Sequence, residues 1–273
     1  HEIIQQNILG AAAKAKTRIL NILVLGIMAG SFIAMGAQSS SLAVHNISNV
    51  GLARTLAGCI FPVGLMMIVF VGGELFTGDC MMSMAWMQRK IHFADMLRTL
   101  VLVYVSNFVG AALIAFLVAH SGQYDYSSGA LGAYTIKVAY GKVHLSFANA
   151  LISGILCNIL VCVAVLMAAA AKDIAGKVLA IFFPILAFVV SGFEHCVANM
   201  YYIPAGIFAS KNAAYATKAL ELYNIDSTQL SSLNWGSFAI SNLIPVTIGN
   251  IIGGALLVGG ACFYLHGKAL HES

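Results

Sequence analysis

A glutamate and a histidine stand side by side at Glu194-His195, where an uncharged run from Val178 to Phe193 ends. Such a pair can hold a proton, donate hydrogen bonds to an anion, or lock two elements together. Neighbours on a helix lie about 100° apart, so the two side chains face different ways. His195 is the better candidate to face a cavity, because its ring N–H donates and its ordinary pKa is about 6.5. Glu194 then reads as support, accepting from backbone N–H groups or from an asparagine. Other polar side chains punctuate apolar runs. Asn158 stands among Ile, Leu and Val, and Asn199 lies four residues past His195. Thr77 follows Phe76 beside a glycine-rich stretch and could offer a hydroxyl to a passing ion or cap a helix. Asn107 and Asn250 each stand three residues before a glycine and read as packing sites.

The elements that position these residues cross a membrane. The chain of 273 residues is 60% hydrophobic and 9% charged, against roughly 25% charged in a soluble domain. A bilayer span needs about 20 mostly apolar residues. Ile19–Val44, Thr55–Gly73, Thr99–Ala119, Leu145–Ala171 and Trp235–Leu265 meet that need without a charge. The stretch around Glu194 makes a sixth span. Strands of a β-barrel would alternate polar and apolar residues, and these runs do not, so an all-α membrane protein is expected. Residues 2–18 read as an amphipathic helix with Ile4, Ile8 and Leu9 on one face, lying at the interface as an anchor. Nine Lys and Arg fall on the side of the termini and five on the other. Lys14, Lys16, Arg18, Arg89, Lys90, Arg98, Lys172, Lys177 and Lys268 oppose Arg54, Lys137, Lys142, Lys211 and Lys218. That bias predicts cytoplasmic termini. The net charge of +4 therefore implies no nucleic-acid partner. The six cysteines form no C-x-x-C pair, so neither a metal nor a cofactor is expected.

The chain also repeats itself. Asn107-Phe-Val-Gly110 matches Asn250-Ile-Ile-Gly253, and Gly26-Ile-Met-Ala-Gly30 resembles Gly154-Ile-Leu-Cys-Asn158. Phe61-Pro62 resembles Phe183-Pro184. Gly72-Gly-Glu74 resembles Gly192-Phe-Glu194, and at the same offset Asp79 meets Asn199. Two halves of three spans each are implied, 19–120 and 145–267. Three crossings bring the second half in from the opposite side, so the halves are inverted. Transporters and channels use this plan, with interrupted helices marking the pathway. Spans 2 and 5 are expected to break at Gly72–Gly78 and at Ser191–His195. Non-helical backbone at that depth must be buried or face a cavity. This places His195 on a pathway.

These same stretches, GELFTG at Gly73–Gly78, GFEHCVANM at Gly192–Met200 and NLIPVTIGNIIGG at Asn242–Gly254, resemble the formate/nitrite transporter family over essentially the whole chain. The resemblance implies an aquaporin-like fold of six spans, with helices 2 and 5 broken. It implies a homopentamer in a lipid bilayer, each protomer carrying its own pore. The cargo would be a small monovalent anion: formate first, hydrosulfide or nitrite as alternatives. It also implies residue roles. His195 would be the pore histidine and Thr77 the hydroxyl facing it. Leu75, Phe76 and Val161 would form the cytoplasmic constriction, and Phe61, Leu65 and Phe188 the periplasmic one. Lys142 would attract the anion, with Glu194 and Asn158 supporting it and Asn199 lining the centre. Cys196 and Val197 depart from other members, and Asp79 adds an acid close to an anion path.

Competing classes fare worse. An intramembrane serine protease needs G-x-S-G, and the leading glycine is missing before both Ser153-Gly154 and Ser191-Gly192. The zinc-protease order His-Glu-x-x-His is absent. A water or glycerol pore would carry Asn-Pro-Ala, which does not occur. A non-enzymatic anion channel or transporter is the expectation.

Overall fold

The computed structural model describes residues 2–266. Lys268, counted in the charge bias, and residue 267, the expected end of the second half, lie outside the described residues. Among the described residues, six helices are long and apolar enough to cross a membrane: Ile19–Val44, Val50–Val71, Phe93–Ala119, Phe147–Ala170, Ile174–Ser191 and Trp235–His266. They are spans 1 to 6 below. Spans 2 and 3 begin earlier than the uncharged runs do and take in Arg54, Asp95 and Arg98. Long charged side chains at span ends reach water while their stems cover apolar surface.

Spans 2 and 5 are interrupted, and each resumes as a second helical piece. Span 2 stops at Val71 and helix returns at Phe76–Asp79, running on through short turns to Met87. Span 5 stops at Ser191 and returns as Cys196–Ser210. Both stops are glycines at positive φ, Gly72 at 105° and Gly192 at 71°, a region that only a residue without Cβ enters freely. Span 6 stays continuous but widens twice into π-helical turns, Phe238–Leu243 and Ile252–Val258.

Glycines set how closely the spans approach. In the first half span 1 meets span 3: a Cβ at Gly30 would lie 2.1 Å from the Asn107 carbonyl oxygen, and one at Gly110 would lie 2.0 Å from that of Ile27. In the second half span 4 meets span 6: a Cβ at Gly249 would lie 2.2 Å from the Leu151 carbonyl oxygen, and one at Gly253 2.3 Å from that of Ile155. Backbones touch at these points, as small residues permit between membrane helices.

The N-terminal helix, Glu2–Lys14, departs from its expected place. Ile4, Ile8 and Ala11 are buried against Met81, Met82, Met84 and Ala85 beyond the span 2 break. Leu9, grouped with Ile4 and Ile8 from the sequence, is instead exposed. The apolar face is covered by protein and not by lipid. The helix closes one end of the bundle, called here the terminal side. A helix at Ala130–Val143, between spans 3 and 4, covers the far side.

Candidate functional site

A helix that restarts inside a membrane protein has N–H groups without intrahelical partners, and no water is at hand to satisfy them. Two asparagines meet this need in matching ways. Asn107 Oδ1 accepts from the Phe76 N–H at 3.0 Å, while its Nδ2 donates to the carbonyls of Gly26 and Glu74, both at 2.8 Å. Asn250 Oδ1 accepts from the Cys196 N–H at 2.9 Å, while its Nδ2 donates to the carbonyls of Gly154 at 2.7 Å and Glu194 at 3.0 Å. Each amide uses its acceptor and both donors. Read from sequence as packing sites, both residues are braces that hold an open loop to its neighbouring spans. The signal was present: the same Asn-x-x-Gly stood at the same place in both halves.

The halves differ at one decisive position. Leu75 and His195 each precede the restarted helix, with nearly identical backbone angles (φ −110° and −114°, ψ 120° and 117°). Leucine cannot cap. Histidine does, its Nδ1 accepting from the Ala198 N–H at 3.1 Å. With Nδ1 an acceptor, the proton of a neutral ring sits on Nε2. Nε2 is 2.9 Å from Thr77 Oγ1, so the ring donates to the hydroxyl, which keeps its own proton for another acceptor. Asn158 fixes the Thr77 side, donating from Nδ2 to the Thr77 carbonyl at 3.1 Å and to the Asn250 carbonyl at 2.7 Å. Asn158 thus serves the threonine loop. Through the Asn250 carbonyl it also joins the brace that holds the Glu194 carbonyl.

Glu194 faces away from His195, as two adjacent residues should. Its Oε1 pairs with Lys142 Nζ at 2.8 Å. Its Oε2 accepts from Asn199 Nδ2 at 2.6 Å and Asn242 Nδ2 at 3.3 Å. Asn199 also donates to Asn242 Oδ1, and Asn242 to the Lys142 carbonyl, at 2.7 and 2.9 Å. Asn242, on the first π turn of span 6, carries no mark of this role in the sequence. Nor does Ser153, whose hydroxyl accepts from the Glu194 N–H at 3.1 Å.

Two cavities flank the breaks. The far-side cavity, about 280 Å³, is lined by Phe61, Phe188, His195, Lys142, Glu194 and Asn199 among others. Phe188 stacks along the His195 ring with centroids 6.0 Å apart, and Phe61 meets Phe188 edge-on at 5.5 Å. The terminal-side cavity, about 550 Å³, is lined by Leu65, Ile68, Glu74, Leu75, Asp79 and Val165, with Lys14 over it. Leu65 was grouped with Phe61 and Phe188, but it lines the terminal-side cavity. It stands four residues past Phe61, about one helical turn further along the same face. Phe76 and Val161 are buried outside that lining, and Phe76 packs edge-on against Tyr104 at 4.8 Å. Lys14 Nζ lies 2.5 Å from both Glu74 Oε2 and Asp79 Oδ1. Burial opposes the Lys14 charge, but Asp79 and Glu74 outweigh it and hold the ammonium above the usual lysine range.

Six spans in two inverted halves, with two helices broken at matching places, define an aquaporin-like membrane channel fold. The chain belongs to the formate/nitrite transporter family, whose sequence profile matches residues 1–264. It is 38% identical over 272 residues to the probable formate transporter of Methanothermobacter thermautotrophicus, covering 93% of this chain and 91% of that one. It is 37% identical over 252 residues to the formate channel FocA of Haemophilus influenzae, covering 91% and 88%. The fold superposes on a pentameric formate channel solved with formate bound, with TM-score 0.80, 31% identity, and 92% and 98% of the two chains covered.

Proposed function

We propose that this protein conducts small monovalent anions, formate foremost, through a pore in each protomer of a homopentamer. The observation that carries the reading is the Thr77–His195 hydrogen bond at the meeting of the two breaks, with a cavity on either side. The relatives named for formate supply the cargo. Phe61 and Phe188 form the far-side constriction. Leu65 and Leu75 form the terminal-side one, with Phe76 and Val161 packed behind them. An anion there loses its hydration and needs a donor in return. Thr77 and His195 supply one. Because Nδ1 holds the Ala198 N–H, His195 acts as a hydrogen-bond donor, and the anion passes without taking a proton from it. The Lys and Arg bias supports cytoplasmic termini and a far side facing outward.

Flux into proteoliposomes tests this, comparing formate, nitrite and hydrosulfide with internal pH recorded. His195→Phe removes the ring that turns the Thr77 hydroxyl proton toward the anion, a hydrogen bond to a charged group worth about 1.5–3 kcal/mol, so formate flux falls roughly 10- to 100-fold. Internal pH stays flat during wild-type formate flux. Undiminished, equally selective flux in the variant would sink the assignment, and a proton moving with each anion would sink the donor-only mechanism.

A further inference from the structure

Two cations and one carboxylate line the far-side cavity: Arg54, Lys142 and Glu194. Lys142 is the residue that the family resemblance marks for attracting the anion, yet its charge is already matched by Glu194 at 2.8 Å. Its ammonium also lies over the Tyr202 ring, 5.2 Å from the centroid. That pair presents little net field. Arg54 differs. Among the described residues it makes no ion pair. Its guanidinium lies against Gly192, where a Cβ would come within 2.4 Å of Nη1. Nη1 donates to the Val190 carbonyl at 3.2 Å, capping the end of span 5. One of five N–H donors is thereby engaged. The side chain is exposed to solvent at the cavity mouth, and the cavity leads inward past Phe61 and Phe188 to His195.

Resting on the formate-channel reading, we propose that Arg54 is the capture residue of the far-side mouth, binding planar two-oxygen anions such as formate before they enter. The uncompensated charge of the cavity resides on Arg54. A guanidinium presents parallel N–H groups that match the two oxygens of a carboxylate, a geometry an ammonium lacks. Gly192 then has two duties. It turns the chain at the break, and its missing side chain leaves room for the guanidinium to lie flat across the loop that carries Glu194 and His195.

The test is formate uptake into proteoliposomes holding both orientations of the full chain, at graded formate and ionic strength, for wild type, Arg54→Gln and Arg54→Lys. Removing one partly solvated charge weakens capture roughly fivefold. A passive pore has one low-concentration permeability in either direction, so Arg54→Gln lowers uptake at low formate about fivefold in both orientations. The maximal rate from the far side is kept, and the weakened low-concentration uptake loses its salt dependence. Arg54→Lys restores the salt dependence but leaves formate less favoured over hydrosulfide, which has no second oxygen to fill the fork. An Arg54→Gln curve that superimposes on wild type at every salt overturns the proposal. So does a fall in maximal rate at unchanged half-saturation, which would mark Arg54 as the span 5 cap alone. Wild-type vesicles that carry no formate would instead bring down the transport reading, and the capture role with it.

Discussion

At the residue scale, the polar groups divide into those that meet the cavities and those that hold the loops open. The second kind is the less visible and the more costly to lose. Asn250→Leu keeps volume but strands the Cys196 N–H and releases the Glu194 carbonyl at membrane depth. Each buried group left unpaired costs about 1–3 kcal/mol. The variant should unfold in detergent at a clearly lower temperature than wild type. Asn107→Leu should do the same through Phe76, and a wild-type transition in either would refute the brace. Glu194→Gln should also destabilise, by about 1–3 kcal/mol, because it leaves the half-buried Lys142 opposite a neutral amide; thermal unfolding again reads it. The sequence made His195 and Glu194 legible through their cost in an apolar run. It left the braces as packing residues, because an asparagine near a glycine carries no mark of where its amide points. The resemblance grouped Leu65 with Phe61 and Phe188, while the structure puts it on the lining of the other cavity, one helical turn further along the same face.

The broken elements were legible from glycines that recur beside a glutamate at matching places in the two halves, and the structure gives both glycines a positive φ. Gly72 and Gly192 fall within the stretches where the breaks were expected. The N-terminal helix was legible as a helix, but the surface it packs on was not. Amphipathicity says that a face wants cover, but lipid and protein satisfy it alike. What decides is Lys14, which reaches Glu74 on the first break and Asp79 just beyond it. That contact ties a surface helix to the loop beside the pathway and covers the terminal-side cavity. Lys14→Ala leaves Glu74 and Asp79 without their shared cation, so the helix should loosen and formate flux should rise severalfold. Flux and the proteolytic sensitivity of residues 2–14 check this together. Faster cleavage with unchanged flux would separate the helix from the pathway.

For the whole molecule, the inverted repeat was readable in order and direction from a handful of short matches. The matches arise because both halves solve one problem, bringing two spans together across glycine and bracing a broken third. The two solutions should carry equal weight. Gly110→Ala and Gly249→Ala each drive a methyl into a carbonyl oxygen, costing about 1–3 kcal/mol as overpacking does. Because the two sites share no partner, the double variant should lose the sum within about 0.5 kcal/mol, measured by unfolding in detergent. A large departure would mean that the halves strain each other. The braces lead to one more point, about synthesis. Asn107 engages only Gly26, Glu74 and Phe76, all made before it, and Asn250 likewise reaches back to Gly154, Glu194 and Cys196. A nascent chain halted after span 3 already holds every partner its brace requires. The bonds of Thr77 to His195 and Asn158 cannot form until the second half has been translated. The ribosome therefore delivers a closed scaffold first and a conduit last, and a half-inserted protein has no conduit through which the membrane could leak.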